Sequence, residues 1–143
     1  MRRKVTKETT IHEAVFTAAE LAYLRAGRKL ARIATVGADG TPHVTPVGWR
    51  LDAQEAVIEV GGIDLTVTKK FRDVARNRKA ALVIDQVLPP WRPRGIEIRG
   101  IADAVEQPEA VIRIHPRRII SWGLSDSGQE RSARSVSREA KEA

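Results

Sequence analysis

The residues of this 143-residue sequence that most strongly suggest chemistry are two adjacent lysines, Lys69 and Lys70, which follow Thr68. Apolar residues recur at helical spacing across residues 66–77, so the lysines are predicted to lie at the start of a helix. Free backbone N–H groups and the positive end of the helix dipole favour an anion there, and the lysines add mobile charge. The pattern indicates a phosphate or polyanion site, while a solvated helix face is the plainer alternative for each single charge.

Basic residues are concentrated in one part of the chain, whose formal net charge is +7. Residues 69–99 hold nine lysines and arginines against three acids, so this stretch alone accounts for +6. A basic barrel with tryptophans could bind a single-stranded nucleic acid. However, these residues cluster at one helix and one loop instead of along strands with interleaved aromatics. The distribution therefore favours a local anion site and predicts no nucleic-acid partner.

Other kinds of chemistry find little support in the residue types. The chain has no cysteine, and its three histidines lack the spacing of a metal site, so no metal is expected. No phosphate-binding loop, dinucleotide glycine motif or Ser-His-Asp arrangement can be read. Trp49, Trp91 and Trp122 lie beside arginine or glycine and are either core residues or walls for a flat ligand. An enzyme with this sequence would take its chemistry from a cofactor.

The elements that must position these residues are predicted to be mostly strands. Thr17 and Glu20 form a capping-box pattern that predicts a first helix, and Gly27 is suited to ending it. Pro46 inside a strand indicates an edge, a bulge or a ligand, and Gly100 indicates a bend or bulge. Short, evenly spaced strands favour a small, mostly antiparallel barrel with short helices. Six strands are predicted, at residues 30–36, 43–51, 56–60, 80–84, 95–105 and 117–124.

The chain is long enough for one domain, which is predicted to span residues 16–124. Residues 1–15 are interpreted as an N-terminal arm. Residues 125–143 are polar and charged, so we expect a mobile tail or a frayed helix outside the core. Neither a secretory signal nor an apolar run of ~20 residues can be read, which predicts a cytoplasmic protein with no membrane partner.

Four runs together resemble the pyridoxamine 5′-phosphate oxidase-like split β-barrels, and within them the coenzyme F420-dependent subgroup. They are LARIATVGADGTPHVTPVGW, TKKFRDVARNRKAALVI, WRPRGIEIRGIADAVE and RIHPRRIISWGL. The last run is similar to a narrower group that includes reductases of antibiotic biosynthesis. The resemblance implies a six-stranded antiparallel split β-barrel of the FMN-binding type. It also implies a homodimer with the cofactor in a groove between the subunits.

The resemblance also implies where the cofactor lies. The tricyclic ring would rest against the backbone of the second strand, at Thr45, Pro46, Val47 and Gly48. The phosphate would bind Lys70, with Lys69 and Thr68 beside it. The partner subunit would contribute residues of the later strands, for which the candidates are Trp91, Arg94 and Trp122.

The activity implied is that of an F420-dependent oxidoreductase, which transfers a hydride between the deazaflavin and an unsaturated small molecule in secondary metabolism. The proton could come from His115, Tyr23 or bulk water, so no catalytic residue is assigned. FMN is the alternative cofactor, but the phosphate motif that FMN-binding relatives carry in the first strand is not readable in LARIATV. A cofactor-binding protein without turnover is a further alternative that the sequence leaves open.

Overall fold

The computed structural model describes residues 15–27, 29–125 and 130–137. The predicted arm therefore lies outside the described residues, except for Val15. In the described ranges, no helix is both long and apolar enough to cross a membrane. The helices are α1 (Ala18–Arg25) and α2 (Lys69–Asn77), and a 3-10 turn (Leu65–Val67) precedes α2. The strands are β1 (Ala31–Val36), β2 (Pro42–Val47), β3 (Trp49–Asp52), β4 (Val57–Val60), β5 (Lys79–Leu88), β6 (Arg92–Val105), β7 (Val111–Trp122) and β8 (Arg131–Ser135).

The strands form one antiparallel sheet in the order β2-β1-β5-β6-β7-β4-β3. This order is the path of the sheet, and β8 lies outside it as an additional strand that pairs with β7. β4 pairs with the first half of β7, and β8 pairs with its second half. The two ends of the path, β2 and β3, are consecutive in the chain and joined by Gly48. The sheet is therefore split between two strands that are neighbours in sequence.

The predicted mostly β, antiparallel architecture is confirmed, but its strand count of six is wrong. The described residues contain eight strands. The predicted strand 43–51 is broken at Gly48 into β2 and β3, and β8 is a further strand that was not predicted. The predicted strand 117–124 is the second half of the longer β7, which begins at Val111. Proline and charged residues along this segment concealed its length in the sequence.

The eighth strand lies in the predicted polar tail, so the expectation that residues 125–143 stay outside the core is wrong for the part described. β8 forms a ladder of five residue pairs with the end of β7, with Ile120 opposite Ala133. Val136, just after the strand, is buried. This strand could not be predicted from the sequence, because its side chains are small or charged and show no apolar pattern. It forms through backbone pairing with β7, which the residue types do not reveal.

Glu20 explains how this charged strand is attached. Its carboxylate is fully buried and accepts hydrogen bonds from both Nη atoms of Arg134, at 3.0 and 2.6 Å. It also accepts from the Ser121 hydroxyl at 2.7 Å and from the Thr17 backbone N–H at 3.0 Å, which confirms the capping box. Burial alone would raise the pKa of Glu20, but the hydrogen bonds it accepts, first that of Arg134, lower it overall.

The core lies inside the curved sheet and is closed by the two helices. Alternate residues of the strands point inward, as in β1, where Ala31, Ile33 and Thr35 are buried while Arg32 is exposed. The predicted bulge at Gly100 is confirmed by a register shift between β6 and β7. A Cβ added there would lie 2.1 Å from the carbonyl oxygen of His115, so the position accepts only glycine.

Candidate functional site

The start of α2 is built as the sequence predicts. Thr68 is its N-cap residue, and its side chain accepts a hydrogen bond from the Phe71 backbone N–H at 3.3 Å. The same hydroxyl donates to the carbonyl oxygen of Leu65 at 2.6 Å, which ties the helix to the preceding turn. Lys69 and Lys70 therefore occupy the first two helical positions, where backbone N–H groups are free for a ligand.

The helix start lies over the inner side of β1 and β2 and forms a pocket of about 200 Å³, which we call the lysine pocket. It is lined by Ile33, Thr35, His43, Thr45, Thr68, Lys69 and Lys70. Four of the residues singled out in the sequence thus come together, since Thr45 of β2 meets the three residues at the helix start. A cation-rich pocket at a helix N-terminus is suited to a phosphate or carboxylate.

A buried carboxylate gives the two lysines different surroundings. Asp73 is completely buried and accepts hydrogen bonds from the Thr35 hydroxyl at 2.9 Å and from Arg76 at 2.8 Å. Burial alone would raise the pKa of Asp73, but these hydrogen bonds and the nearby cations lower it overall. Lys69 lies 3.5 Å from this carboxylate, whereas Lys70 has no ion-pair partner among the described residues. Lys70 is therefore the uncompensated cation of the pocket.

His43 is a member of the pocket that the sequence did not single out. A Cβ added to Gly37 would lie 3.0 Å from His43 Nε2, 3.3 Å from Asp39 Oδ1 and 3.4 Å from Lys69 Nζ. Three polar side chains thus converge over a residue without a side chain at the β1–β2 turn. The signal was present in the sequence, because His43 is two residues from Thr45 and so shares its face of the strand.

The remaining ring-site candidates of the second strand are divided between the faces of the sheet. Val47 is buried, and Pro46 faces outward and is exposed. Gly48 lines a second pocket of about 580 Å³, which we call the Arg50 pocket. Other residues lining it include Trp49, Arg50, Glu59, Asp64, Leu65 and Glu109. The two pockets share no lining residue, but they draw on the same two segments of the chain: Thr45 and Thr68 line the lysine pocket, whereas Gly48 and Thr66 line the Arg50 pocket.

The three candidates from the later strands lie outside both pockets. Trp91 is 77% exposed in the turn between β5 and β6. The guanidinium of Arg94 stacks 4.9 Å from the ring centroid of Tyr23, and its buried Nε has no hydrogen-bond partner among the described residues. Trp122 lies across Gly95 on the outward face of the sheet, near Val44. Their contribution to a partner subunit's site stays a prediction.

Neither candidate proton donor lines the pockets. Tyr23 is 2% exposed, and burial raises its pKa to about 12 against the opposing charge of Arg94. His115 lies in β7, where its Nε2 is 3.0 Å from Asp103 of the neighbouring β6. Across residues 15–27, 29–125 and 130–137, no group of three or more His, Cys, Asp or Glu side chains could hold a metal ion. The site is a basic pocket beside an edge strand, and its helix N-terminus suits an anionic group such as a phosphate.

Comparison with known proteins shows the family of the chain. Residues 17–140 match the pyridoxamine 5′-phosphate oxidase family, and the chain belongs to that family. It is 42% identical over 120 residues to the 5a,11a-dehydrotetracycline/5a,11a-dehydrooxytetracycline reductase of Streptomyces rimosus. That alignment covers 76% of this chain and 84% of the reductase.

Solved structures show the same fold at low sequence identity. An F420 reductase superposes with a TM-score of 0.53 and 20% identity, covering 68% of this chain and 94% of its own. A FAD-binding protein from Mesorhizobium loti superposes with a TM-score of 0.58 and 14% identity, covering 73% and 91% respectively. The predicted split β-barrel fold is thereby confirmed, with the sheet opened between β2 and β3.

Proposed function

We propose that this protein is an F420-dependent oxidoreductase that transfers a hydride between the deazaflavin and an unsaturated small molecule in secondary metabolism. The observation that carries the proposal is Lys70, an uncompensated cation at a helix N-terminus, beside the strand segment 45–48. The reductase of Streptomyces rimosus supports it, since its name assigns it to reduction of dehydrotetracycline and dehydrooxytetracycline. The F420 reductase with the same fold supports the choice of cofactor.

The described residues fit such a cofactor. Lys70, the free N–H groups at the start of α2 and the Thr45 hydroxyl would hold a phosphate in the lysine pocket. A Cβ added at Gly48 would meet nothing within 4 Å, so there is room for a flat ring along the backbone of residues 45–48. When bound, the reduced deazaflavin supplies the hydride. The chain's own residues would orient the ring and exclude water, and Ile33, which lines the lysine pocket, would provide an apolar wall.

The proposal includes a homodimer, with Trp91, Arg94 and Trp122 reaching the partner subunit's cofactor. Three large apolar side chains support it, because they are strongly exposed to solvent in the single chain. Val44 is 72%, Ile63 92% and Val67 71% exposed. A second subunit that covered them would remove this apolar surface from water. Light scattering during size-exclusion chromatography tests this, and a monomer at micromolar concentration contradicts it.

Replacing Lys70 by alanine tests the cofactor site. Since a hydrogen-bonded ion pair to a phosphate contributes about 1–3 kcal/mol, Lys70→Ala should weaken F420 binding by about 5- to 150-fold. Fluorescence titration of the purified protein with F420, and in parallel with FMN, measures the affinity. Lys79→Ala is the matched control, because Lys79 is an exposed lysine that lines neither pocket.

The two titrations separate the candidate cofactors. Micromolar binding of F420 that Lys70→Ala weakens supports the proposal, whereas binding of FMN alone supports an FMN-dependent oxidoreductase. Absence of F420 binding at micromolar concentration refutes the proposed function.

A second candidate is a cofactor-binding protein without turnover. It is favoured by one observation, namely that Tyr23 and His115 both lie away from the two pockets. Single-turnover measurements decide between the two functions. Oxidation of bound reduced F420 by an added enone supports the enzyme, and a reduced cofactor that stays unchanged with every substrate supports the carrier.

A further inference from the structure

The Arg50 pocket has the size of a small-molecule site and a wall that the proposed cofactor does not use. Its volume of about 580 Å³ falls in the range of ~300–1,000 Å³ typical of ligand pockets. Gly48 lines this pocket and belongs to the segment 45–48 along which the ring of the cofactor is proposed to lie. A molecule bound in it would therefore be adjacent to that ring.

Arg50 is held in place on the wall of this pocket by a ladder of ion pairs across three strands. Its Nε donates to Glu59 Oε1 at 2.6 Å, and its Nη2 donates to Glu109. The other carboxylate oxygen of Glu59 accepts from Arg113, which also reaches Asp52 at 3.2 Å. Arg50, Glu59 and Arg113 are register neighbours on β3, β4 and β7, so the backbone pairing itself aligns the ladder.

These contacts leave part of the guanidinium unused. A guanidinium carries five N–H groups, and the two carboxylates take one each. The Arg50 side chain is 60% exposed, so the remaining N–H groups are accessible to a molecule in the pocket. Arg50 is thus a preoriented donor that fits a carbonyl or hydroxyl oxygen.

The net charge of the pocket wall disfavours an anion. Three acids line it, Glu59, Asp64 and Glu109, against the single cation Arg50. Arg113, which does not line the pocket, neutralises the charge of Glu59, while Asp64 has no ion-pair partner among the described residues. A carboxylate ligand would meet net negative charge, whereas a neutral or cationic ligand would not. The two pockets therefore differ in sign, since the lysine pocket is basic.

We propose that the Arg50 pocket is the substrate site, that it takes uncharged or cationic ring compounds bearing a carbonyl group, and that Arg50 anchors their carbonyl oxygen. Describing the ligand as a substrate rests on the proposed function, whereas the ligand preference rests on the pocket alone. Hydrogen bonds from Arg50 fix the orientation of the ring. The acids of the wall exclude carboxylates, so the anionic part of the cofactor does not compete for this pocket.

Two isosteric probes test the ligand class, 2-naphthamide, which is neutral, and 2-naphthoate, which is an anion. Isothermal titration calorimetry near neutral pH measures both affinities, and quenching of Trp49, which lines the pocket, reports where the probe binds. We expect 2-naphthamide to bind in the Arg50 pocket at least ~10-fold more tightly than 2-naphthoate. Trp49→Phe should remove the fluorescence change and leave the calorimetric binding of the amide in place.

Variants of Arg50 test the anchoring residue. Arg50→Gln should weaken 2-naphthamide binding by about 5-fold or more, because hydrogen bonds from the charged guanidinium are lost. Arg99→Gln is the matched control, since Arg99 is a comparably exposed arginine paired with Glu97 at 2.8 Å outside the pocket. Glu109→Gln should narrow the preference for the amide over the carboxylate.

Three outcomes overturn the inference. The first is binding of 2-naphthoate at Trp49 as tight as that of the amide, and the second is an equal effect of Arg50→Gln and Arg99→Gln on the affinity for the amide. The third is no binding of 2-naphthamide up to millimolar concentration.

F420 titration of Arg50→Gln separates this inference from the proposed function. If F420 binds normally and the amide does not bind, only the substrate site is wrong. If the amide binds in an Arg50-dependent manner and F420 does not bind, the pocket stands and the proposed function fails.

Discussion

Removing Arg134 should destabilise the protein far more than removing any other side chain of its strand. In the folded protein its guanidinium is the cationic partner of the fully buried Glu20, and it also donates to the carbonyl oxygen of Val15 at 2.5 Å. In Arg134→Ala the carboxylate keeps only neutral donors, Ser121 and the Thr17 backbone. Breaking a buried ion pair from one side costs about 3–5 kcal/mol, because a buried charge is left uncompensated.

The assay is urea unfolding followed by tryptophan fluorescence at neutral pH. For a domain of this size, a loss of about 3 kcal/mol also lowers the melting temperature by ~10 °C. Arg131→Ala is the control from the same strand, because Arg131 is exposed and should change the free energy of unfolding by less than ~0.5 kcal/mol. The double variant Glu20→Gln with Arg134→Met should recover part of the loss, since it removes both charges together.

The pH dependence gives an independent check. The pKa of Glu20 is lowered in the folded protein from its ordinary value of 4.5, so its contribution to stability is complete above that value. The contribution falls as the pH drops below 4.5 and is lost once Glu20 is protonated in the folded state as well. The gap in unfolding free energy between the wild type and Arg134→Ala should therefore narrow in acid. Equal stability of Arg134→Ala and Arg131→Ala at neutral pH would refute the buried pair and, with it, the place of β8 in the core.

Substitutions at three glycines separate what the fold requires from what the proposed cofactor site requires. Gly100→Ala should destabilise the protein by about 3 kcal/mol or more in thermal unfolding, because the new Cβ would lie 2.1 Å from a backbone oxygen. Gly40→Ala is the comparison, because Gly40 has φ +85° but open space around an added Cβ, and it should cost only about 1 kcal/mol of stability. An equal loss of stability in Gly100→Ala and Gly40→Ala would contradict the close approach at Gly100. Gly48→Ala should change stability by less than ~0.5 kcal/mol yet weaken F420 binding about 5-fold or more, and unchanged affinity in fluorescence titration would argue against a ring on this segment.

The parts of the fold that the sequence predicts well are those fixed by neighbours along the chain. The capping box of Thr17 and Glu20 is visible in the sequence because its donors and acceptors are three residues apart. The bulge at Gly100 is indicated in the same way, by a glycine within an otherwise regular strand. In each case the physical requirement is local, so the residue types reveal it.

The features that the sequence does not predict depend on pairing between distant segments. The buried pair of Glu20 and Arg134 joins residues 114 positions apart, so nothing near Arg134 marks its strand as part of the core. Likewise, the ladder of Arg50, Glu59 and Arg113 exists only because β4 pairs with both β3 and β7. Without the register, these appear in the sequence as isolated surface charges. The lysine pocket was predictable because most of its charge comes from one helix start.

Each pocket is lined by one of the two strands at the split of the sheet, since Thr45 of β2 lines the lysine pocket and Trp49 of β3 lines the Arg50 pocket. In the part of the chain that the structure describes, β2 and β3 end the sheet, so each has one edge without a strand partner, and Gly48 joins the two strands. An unpaired edge is a liability that proteins limit, and Pro46 removes one backbone donor from it. In the proposed function this same edge receives the cofactor ring, whose phosphate lies toward Lys70 and whose other side opens toward Arg50. A closed barrel would have paired β2 with β3 and left no place for a flat ligand between a basic pocket and an acidic one.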